Sequence, residues 1–334
     1  MATIGDVARE AGVARSTVSS VLTGRKFVRP ETRARVEAAI AKLDYTVNAG
    51  ARALATSRSM TLGVVVRFHD STFSPALVIY IIAVTDAARR MGYHTLLLTD
   101  LDGSSAVRTV IRTRQVDGLV LLDVVENDAR IAPIVEAGFP AVLIGMPAAP
   151  SGIDTVDLDF SQSARELVDH LTDAGHRRAT FVTWPEEVFA AGRTYAEHFR
   201  SACLEEASRG GLHLTVRHFP VEPEAARASL SELFQSDDPP EALIVHNEAA
   251  IATLPLVLCN LGQQVPRDCS VVSLHSAELA RQFAIPYTAV ESQPERVSEL
   301  AVERLVGRLA GEVSEPTTLL VPPILSERHS VAQA

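Results

Sequence analysis

Apolar side chains recur every three or four residues near the start of the chain, a spacing that predicts helices with one buried face. The first predicted helix has Thr3 as its N-cap, and Gly12 follows it as the left-handed residue that ends a helix. Its inward face consists of Ile4, Val7, Ala8 and Ala11. The second predicted helix packs inward through Val18, Val21 and Leu22.

The second helix is expected to leave a polar face outward, because its apolar side chains occupy one side. That face consists of Arg15, Ser16, Ser19 and Ser20. A third helix is expected from Pro30 or Glu31 to Leu43. Two short helices separated by a glycine, with small polar residues and an arginine on the second, indicate a helix-turn-helix. Its second helix can lie in the major groove of DNA.

Residues 45–55 form a short, alanine-rich segment with almost nothing apolar to pack against. Helix nucleation is costly, so a piece this short is marginal alone. We expect it to become helical only against DNA or against a second copy of the chain.

The pattern changes at Thr61, where short apolar runs begin to alternate with helical stretches. Continuously apolar strands separated by helices indicate parallel sheets that are covered on both faces. The predicted strands are 62–66, 96–98, 119–122, 141–144, 179–182, 242–245 and 271–274, with one or two closing edge strands within 317–325. The predicted fold is therefore a small all-α head joined to an α/β core of two doubly wound parallel-sheet subdomains.

Ligands of open parallel sheets bind beyond the carboxyl ends of the strands, so residues just after each predicted strand are candidates for a binding cleft. They are Phe68, His69, Asp70, Asp100, Asp123, Met146, Trp184, His246, Asn247 and His275. Trp184 is the only tryptophan, and a flat side chain with one polar end suits a ring-shaped ligand such as a carbohydrate. Asp157 and Asp159, by contrast, are expected to face solvent.

The net charge of the chain also changes sign near residue 60. Residues 1–60 carry ten cationic and five anionic side chains, a net charge of +5, although the whole chain carries −10. A basic end on an acidic body indicates a nucleic-acid-binding head on a body with another role.

Membrane insertion, secretion and metal binding find no support in the sequence. No stretch reaches the roughly 18 unbroken apolar residues of a membrane span, and the N-terminus lacks the basic-then-apolar pattern of a signal peptide. A cytoplasmic protein is expected. Cys203, Cys259 and Cys269 lack metal-type spacing and are expected to be buried free thiols. No metal and no cofactor is predicted.

Residues 3–22 resemble the N-terminal motif of the LacI/GalR family of transcription regulators. The resemblance continues at 28–33, 43–45, 48, 51–54, 116–119, 174–178, 265–268 and 328–330, and so extends over nearly the whole chain. It implies a homodimer. Each subunit would have a helix-turn-helix, a hinge helix and a two-subdomain core like that of periplasmic sugar-binding proteins.

The resemblance also implies the domain boundaries. They are a helix-turn-helix domain over 1–47, a hinge helix and linker over 48–60, and an effector-binding and dimerisation core over 61–334. Within the core, the N-subdomain covers about 61–158 and 291–322, and the C-subdomain about 159–290 and 323–334. The implied function is transcriptional repression by a dimer on a palindromic DNA operator, in response to a small-molecule effector in the core cleft.

The residues that the resemblance assigns to DNA binding are Thr3, Arg15, Ser16, Thr17, Ser19, Ser20, Asn48, Arg52 and Leu54. On the second helix, arginine can pair bidentately with guanine, and serine can donate to a base or a phosphate. Leu54 matches the hinge leucine that inserts into the minor groove of the operator. An apolar wedge there unstacks a base step without needing hydrogen bonds.

The residues assigned to the effector are Phe68, His69, Asp123, Trp184, Arg193, Tyr195, Asn247 and His275. The family's clamping arginine falls on Tyr195, with Arg193 two residues earlier as a substitute, and its sugar-binding aspartate falls on His275. A neutral histidine cannot chelate two sugar hydroxyls as a carboxylate does. The expected effector is a sugar or sugar-like molecule; phosphorylated, acidic and nucleoside-like effectors stay open, as does no effector at all.

Two other classes of protein fit the sequence less well. A solute-binding protein without a DNA function would share the core pattern but not the basic head. A nucleotide-binding enzyme would need a glycine-rich phosphate loop after a strand, which the sequence lacks. No set of nucleophile, base and orienting residue emerges either, so the chain is not expected to be an enzyme.

The Leu54→Ala variant tests the implied hinge leucine. We expect weaker operator binding, because alanine is too small to hold a base step open, and unchanged dimerisation. Affinity for a duplex selected from a random pool would be measured alongside the sedimentation coefficient. Wild-type affinity in the variant would contradict the implied wedge.

Overall fold

The structure is a computed structural model that describes residues 2–23, 27–45, 58–67, 74–99, 104–149, 151–312 and 315–334. The described residues belong to two compact units, Met1–Ser59 and Met60–Ala334. Seven candidate site residues lie outside the described residues: Phe68, His69, Asp70, Asp100, Asn48, Arg52 and Leu54.

The described residues of the first unit form three helices, α1 (Ile4–Ala11), α2 (Arg15–Thr23) and α3 (Pro30–Lys42). They bury a small apolar core made of Val7, Ala8, Ala11, Val18, Val21, Val36 and Ala39. Thr3 caps α1 in a capping box with Asp6, and Gly12 ends it with a φ of 62°. These three predicted helices, the cap and the stop signal are confirmed, whereas the implied hinge helix falls within residues 46–57, outside the described residues.

The second unit contains two six-stranded sheets. The first has the order β11-β5-β4-β3-β1-β2, and every described pairing in it is parallel. Its strands are β1 (Thr61–Val66), β2 (His94–Thr99), β3 (Gly118–Leu121), β4 (Ala141–Ile144), β5 (Asp154–Leu158) and β11 (Thr318–Val321).

The second sheet has the order β12-β10-β9-β8-β6-β7, and only its edge strand β12 runs antiparallel to its neighbour. Its strands are β6 (Arg178–Thr183), β7 (His213–His218), β8 (Ala242–Val245), β9 (Ser270–His275), β10 (Thr288–Glu291) and β12 (Leu325–Ser326). The chain therefore leaves the first sheet after β5, returns to it after β10 and leaves it again after β11.

Helices cover both sheets. They are α4 (Pro75–Arg90), α5 (Ser104–Thr113), α6 (Ile131–Glu136), α7 (Phe160–Asp173), α8 (Glu186–Ala190), α9 (Thr194–Gly210), α10 (Pro223–Phe234), α11 (Glu248–Leu261), α12 (Ala277–Ala280) and α13 (Pro294–Ala310). Each sheet has an apolar cluster on both of its faces, as strands without polar alternation require. The predicted fold class, an α/β core of two doubly wound sheets, is confirmed.

Strands β5, β7 and β10 were not predicted, because they lack a continuous apolar run. β5 carries Asp154 and Asp157, and the edge strand β7 is half-exposed along its length. The prediction that Asp157 faces solvent is wrong, because this side chain is buried and accepts backbone hydrogen bonds from Met146 and Leu158. Asp159 instead caps the start of α7 by accepting from the amide of Gln162.

Two further properties of the described residues bear on the sequence predictions. Cys203 and Cys269 are buried free thiols as expected, but Cys259 on α11 is exposed, which corrects the expectation for that residue. Over the described ranges, no helix has the length and apolar character that crossing a bilayer demands.

Candidate functional site

The outer face of α2 carries the side chains that were predicted to contact DNA. Arg15 and Ser16 are exposed, while Thr17, Ser19 and Ser20 are half-buried. Val18 and Val21, on the opposite face, are anchored in the core of the first unit. This anchoring explains why the polar face of α2 stays outward.

Some of these polar groups already have partners within the first unit. The Ser20 hydroxyl donates to the carbonyl of Ser16, at 2.9 Å. The Thr3 hydroxyl donates to an Asp6 carboxyl oxygen at 2.7 Å and takes part in the N-cap of α1. The Arg15 guanidinium lies over Gly5, where a Cβ atom would come within 2.8 Å of Nη2. A glycine at position 5 therefore leaves room for the arginine that begins α2.

A cavity of about 420 Å³ lies in the second unit, at the carboxyl ends of strands from both sheets. This is the location that open parallel sheets favour for ligands, and the volume is within the usual range for small-molecule sites. Asp123 follows β3, Trp184 follows β6 and His246 follows β8. Each of these side chains reaches the cavity because its strand ends there.

Two arginines on the cavity wall are each paired with a buried aspartate. Arg193 forms an ion pair with Asp123, and only 9% and 5% of the two side chains are exposed. Arg67 binds Asp128 through both guanidinium Nη atoms, at 3.1 and 2.8 Å. Because buried charges are stable only when paired, these pairs fix both guanidinium groups.

The fully buried Arg130 supports the second pair from behind. It donates to both carboxylate oxygens of Asp128, at 2.9 and 2.6 Å, and to the carbonyl of Asp123 at 3.0 Å. Burial opposes ionisation of Asp128, but hydrogen bonds from Arg130 and Arg67 outweigh it and hold the pKa of Asp128 below its usual value. Asp128 is therefore ionised at neutral pH.

Two other carboxyl groups on the wall are buried without an ion-pair partner among the described residues. Asp157 accepts from the amides of Met146 and Leu158, both at 2.9 Å, yet burial raises its pKa to about 7. Glu248 accepts from the amide of Ala76 at 3.1 Å, and burial raises its pKa to about 8. Desolvation disfavours the charged form, so both groups hold protons that exposed carboxyls would have lost.

Aromatic rings and histidines also contribute to the polar part of the wall. Trp184 packs edge-to-face against Tyr195 and His246, with ring centroids 5.6 and 5.8 Å apart. Burial lowers the pKa of His246 to about 3 and that of His275 to about 4, so both are neutral at pH 7. Buried polar atoms without a protein partner include Trp184 Nε1, His246 Nδ1 and both ring nitrogens of His275. They are available to a polar ligand.

The two sheet subdomains are joined directly beside the cavity. The amide of Glu126 donates to the carbonyl of Gly192 at 2.8 Å, and the amide of Thr194 donates to that of Val124 at 3.2 Å. The hydroxyl of Tyr80 donates at 2.9 Å to the carbonyl of Ser292, which directly follows strand β10 of the second sheet. Together with the hydrogen bond from the amide of Ala76 to Glu248, these contacts join the two sides of the cleft at more than one point.

The structure brings most of the predicted effector residues together. Those that line the cavity are Asp123, Trp184, Arg193, Tyr195 and His275. Asn247 does not line it: its Oδ1 accepts from the amide of Ala250, and its Nδ2 donates to the carbonyl of Phe219. The fully buried Asn247 thus caps α11, a different role from the predicted effector contact.

The polar residues of the wall that were not predicted as effector contacts include Arg67, Asp157, His246 and Glu248. His246 does follow a predicted strand, so the strand-end rule had included it among the cleft candidates. Asp157 lies on a strand that the sequence pattern missed. Glu248 comes to the cavity because the chain turns into α11 after Asn247. Across the described residues, no cluster of histidine, cysteine, aspartate and glutamate could hold a metal ion.

Residues in both units match known protein families. The family described as bacterial regulatory proteins, lacI family, matches residues 3–48, and the periplasmic binding protein-like domain matches residues 168–331. The chain is 29% identical to the HTH-type transcriptional regulator CelR of Thermobifida fusca, over 98% of each chain. It is 27% identical to the HTH-type transcriptional repressor PurR of Proteus mirabilis (strain HI4320), over 99% of this chain and 97% of the other.

Solved structures of transcriptional regulators are similar to this chain over nearly its whole length. The transcriptional regulator CelR–cellobiose complex superimposes with a TM-score of 0.67 at 26% identity, covering 99% of this chain and 100% of the other. The Lac repressor dimer bound to operator and the anti-inducer ONPF gives a TM-score of 0.83 at 23% identity, covering 99% of each chain, and this likeness shows the fold.

A helix-turn-helix unit followed by a periplasmic-binding-protein-like core defines a class of DNA-binding transcriptional regulators. The chain combines a match to the lacI family of bacterial regulatory proteins with a match to the periplasmic binding protein-like domain, and over nearly its whole length it is similar to HTH-type transcriptional regulators.

The buried carboxyl groups predict how stability depends on pH. The folded protein holds protons on Glu248 and Asp157 that the unfolded chain has released, so raising the pH from about 6.5 to about 8.5 should reduce the free energy of unfolding. Glu248→Gln should make that reduction smaller by about 1–2 kcal/mol. Urea unfolding followed by the fluorescence of Trp184 measures it. Equal losses in the wild type and Glu248→Gln would contradict the prediction; the exposed Glu186→Gln is the matched control.

Proposed function

We propose that the protein is a cytoplasmic repressor that binds a palindromic DNA operator as a homodimer and responds to a small-molecule effector in the cavity of its core. The observation that carries the proposal is the outward polar face of α2 on a basic helix-turn-helix unit. A dimer would present two such helices to two half-sites related by two-fold symmetry.

The relatives support both kinds of binding. CelR has been solved with cellobiose, and the Lac repressor dimer has been solved on its operator. In this chain, the cavity with its unpartnered buried nitrogens supplies the corresponding place for an effector. An effector that binds the two cleft arrangements with different affinity would shift the population between them, and so alter DNA binding.

The surface of α4 and β2 supports the homodimer. Val78 and Ile82 lie four residues apart on α4 and are 50% and 57% exposed. Leu97, on the neighbouring edge strand β2, is 46% exposed, and the hydroxyls of Thr85 and Thr95 join the two elements at 3.3 Å. Adjacent exposed apolar side chains on an edge strand and its helix favour contact with another protein surface.

Arg15→Ala tests the DNA-binding proposal. Wild-type protein is first used to select duplexes from a random-sequence pool, which should yield a palindromic consensus. We expect Arg15→Ala to lose about 1–3 kcal/mol of binding free energy, because a bidentate arginine–guanine contact disappears.

Arg227→Ala is the matched control, since Arg227 lies on α10 of the core and pairs with Glu224. Affinity is measured by fluorescence anisotropy at fixed salt, because phosphate contacts make it depend on salt. A pool that yields no consensus in competition with bulk DNA would refute the proposal.

Ile82→Glu tests the homodimer. A charge buried without a partner in an apolar interface is costly, so the dimer dissociation constant should rise by about tenfold or more. Sedimentation equilibrium measures it, with Leu204→Glu as the control at an apolar residue elsewhere in the core, a leucine that is 42% exposed. If both variants dimerise like the wild type, the subunit contact lies elsewhere.

A further inference from the structure

On the described part of the cavity wall, carboxyl groups outnumber the positively charged side chains that have no ion-pair partner. Its two arginines are already paired, Arg67 with Asp128 and Arg193 with Asp123. Asp157 and Glu248 line the same cavity and form no ion pair in the described part of the chain. Among the described residues of the wall, an anionic ligand therefore meets no unpaired cation, whereas a cationic ligand meets two unpaired carboxyl groups.

Two carboxylate oxygens have no hydrogen-bond partner, Oδ2 of Asp123 and Oε2 of Glu248. Both side chains are at least nine-tenths buried: the Asp123 side chain is 5% exposed, and Glu248 is 9% exposed. Asp123, Glu248 and Tyr195 all line the cavity. Burial raises the pKa of the Tyr195 hydroxyl, and the charges of Asp123 and Glu248 raise it further against the opposing charge of Arg193. Oδ2 of the ion-paired Asp123 only accepts hydrogen bonds, and Oε2 of Glu248 only accepts once this group has lost its proton. The pair of oxygens therefore suits a ligand with several donors.

The aromatic side chains next to these oxygens also suit a cation. Tyr195 packs against Trp184 with 5.6 Å between ring centroids, and both side chains line the cavity. Aromatic faces attract ammonium groups, and the attraction strengthens when water is excluded. His246 and His275 add no competing positive charge, because burial keeps both neutral at pH 7.

We propose that the cavity binds a ring-shaped ligand with a protonated primary amine, an amino sugar or a similar aminated ring, whose ammonium is held by Glu248 and Asp123. This inference rests on the proposed function, because it names the chemical class of the effector of that same cavity. A primary ammonium has three N–H donors and no acceptor, which matches the unpartnered oxygens. Its charge replaces the proton that burial otherwise keeps on Glu248.

Three probes that share one ring test the proposal: glucosamine, glucose and glucose 6-phosphate. Binding to the full chain is followed at about pH 7, where an ordinary amine is still largely protonated, through Trp184, the only tryptophan. Thermal shift gives an independent measurement. Glucosamine should bind at least about tenfold more tightly than glucose, since charge-assisted hydrogen bonds are the stronger ones. Glucose 6-phosphate should bind more weakly than either.

Glucose binding as tightly as glucosamine would overturn the proposal, as would preferred binding of glucose 6-phosphate or no saturable signal from any of the three probes. None of these results touches the proposed function, which stands or falls on selection of a DNA consensus. The two failures are therefore distinguishable.

The Glu248→Gln variant tests whether the carboxyl group of Glu248 holds the ammonium group of the ligand. Its side-chain oxygen can still accept from the amide of Ala76, so the cleft contact is preserved. The variant should lose at least about tenfold in glucosamine affinity and change little for glucose. Glu186→Gln, at an exposed position on α8, should bind both probes like the wild type. Far-UV circular dichroism and binding to the selected duplex check that Glu248→Gln is folded. A folded Glu248→Gln that binds glucosamine like the wild type would overturn the proposal.

Discussion

Charge buried where the two sheets meet is the constraint on which the core depends. Parallel strands bring their carboxyl ends to one edge, and there the polar residues that follow β3 and β6 lose most of their water. Asp123 and Arg193, which come from different subdomains, neutralise each other across the cleft. Asp128 does the same for Arg67, with Arg130 behind it. Breaking such a buried pair leaves an uncompensated charge and costs several kcal/mol.

The same constraint shapes the binding cavity. The two guanidinium groups are paired with aspartates, so the ionisable groups left without an ion-pair partner on the described wall include the neutral histidines and the carboxyl groups of Asp157 and Glu248. The backbone hydrogen bonds beside Val124 and Thr194 join the two subdomains at this wall. Any molecule that enters must therefore compete with contacts inside the protein as well as with water.

The two units follow different physical rules. The helix-turn-helix has a core of only a few small apolar side chains, so local signals dominate it: a capping box at Thr3, a left-handed Gly12 and helical spacing of valines. The core is stabilised by long-range pairing of strands that lie far apart in the sequence. Its boundaries are harder to predict where a strand carries charge, as β5 does at Asp154 and Asp157.

The sequence by itself determined the helix-turn-helix, the alternation of strands and helices, and the candidates Asp123, Trp184 and His275, because these depend on periodicity and on the rule for strand ends. Only the tertiary structure decided which candidates share a wall. Asn247 is turned inward to cap α11, and its neighbour Glu248 reaches the cavity instead. The pairing of Arg193 with Asp123 likewise joins residues that are 70 positions apart. Burial and charge pairing are properties of the assembled cleft, and no local pattern in the chain encodes them.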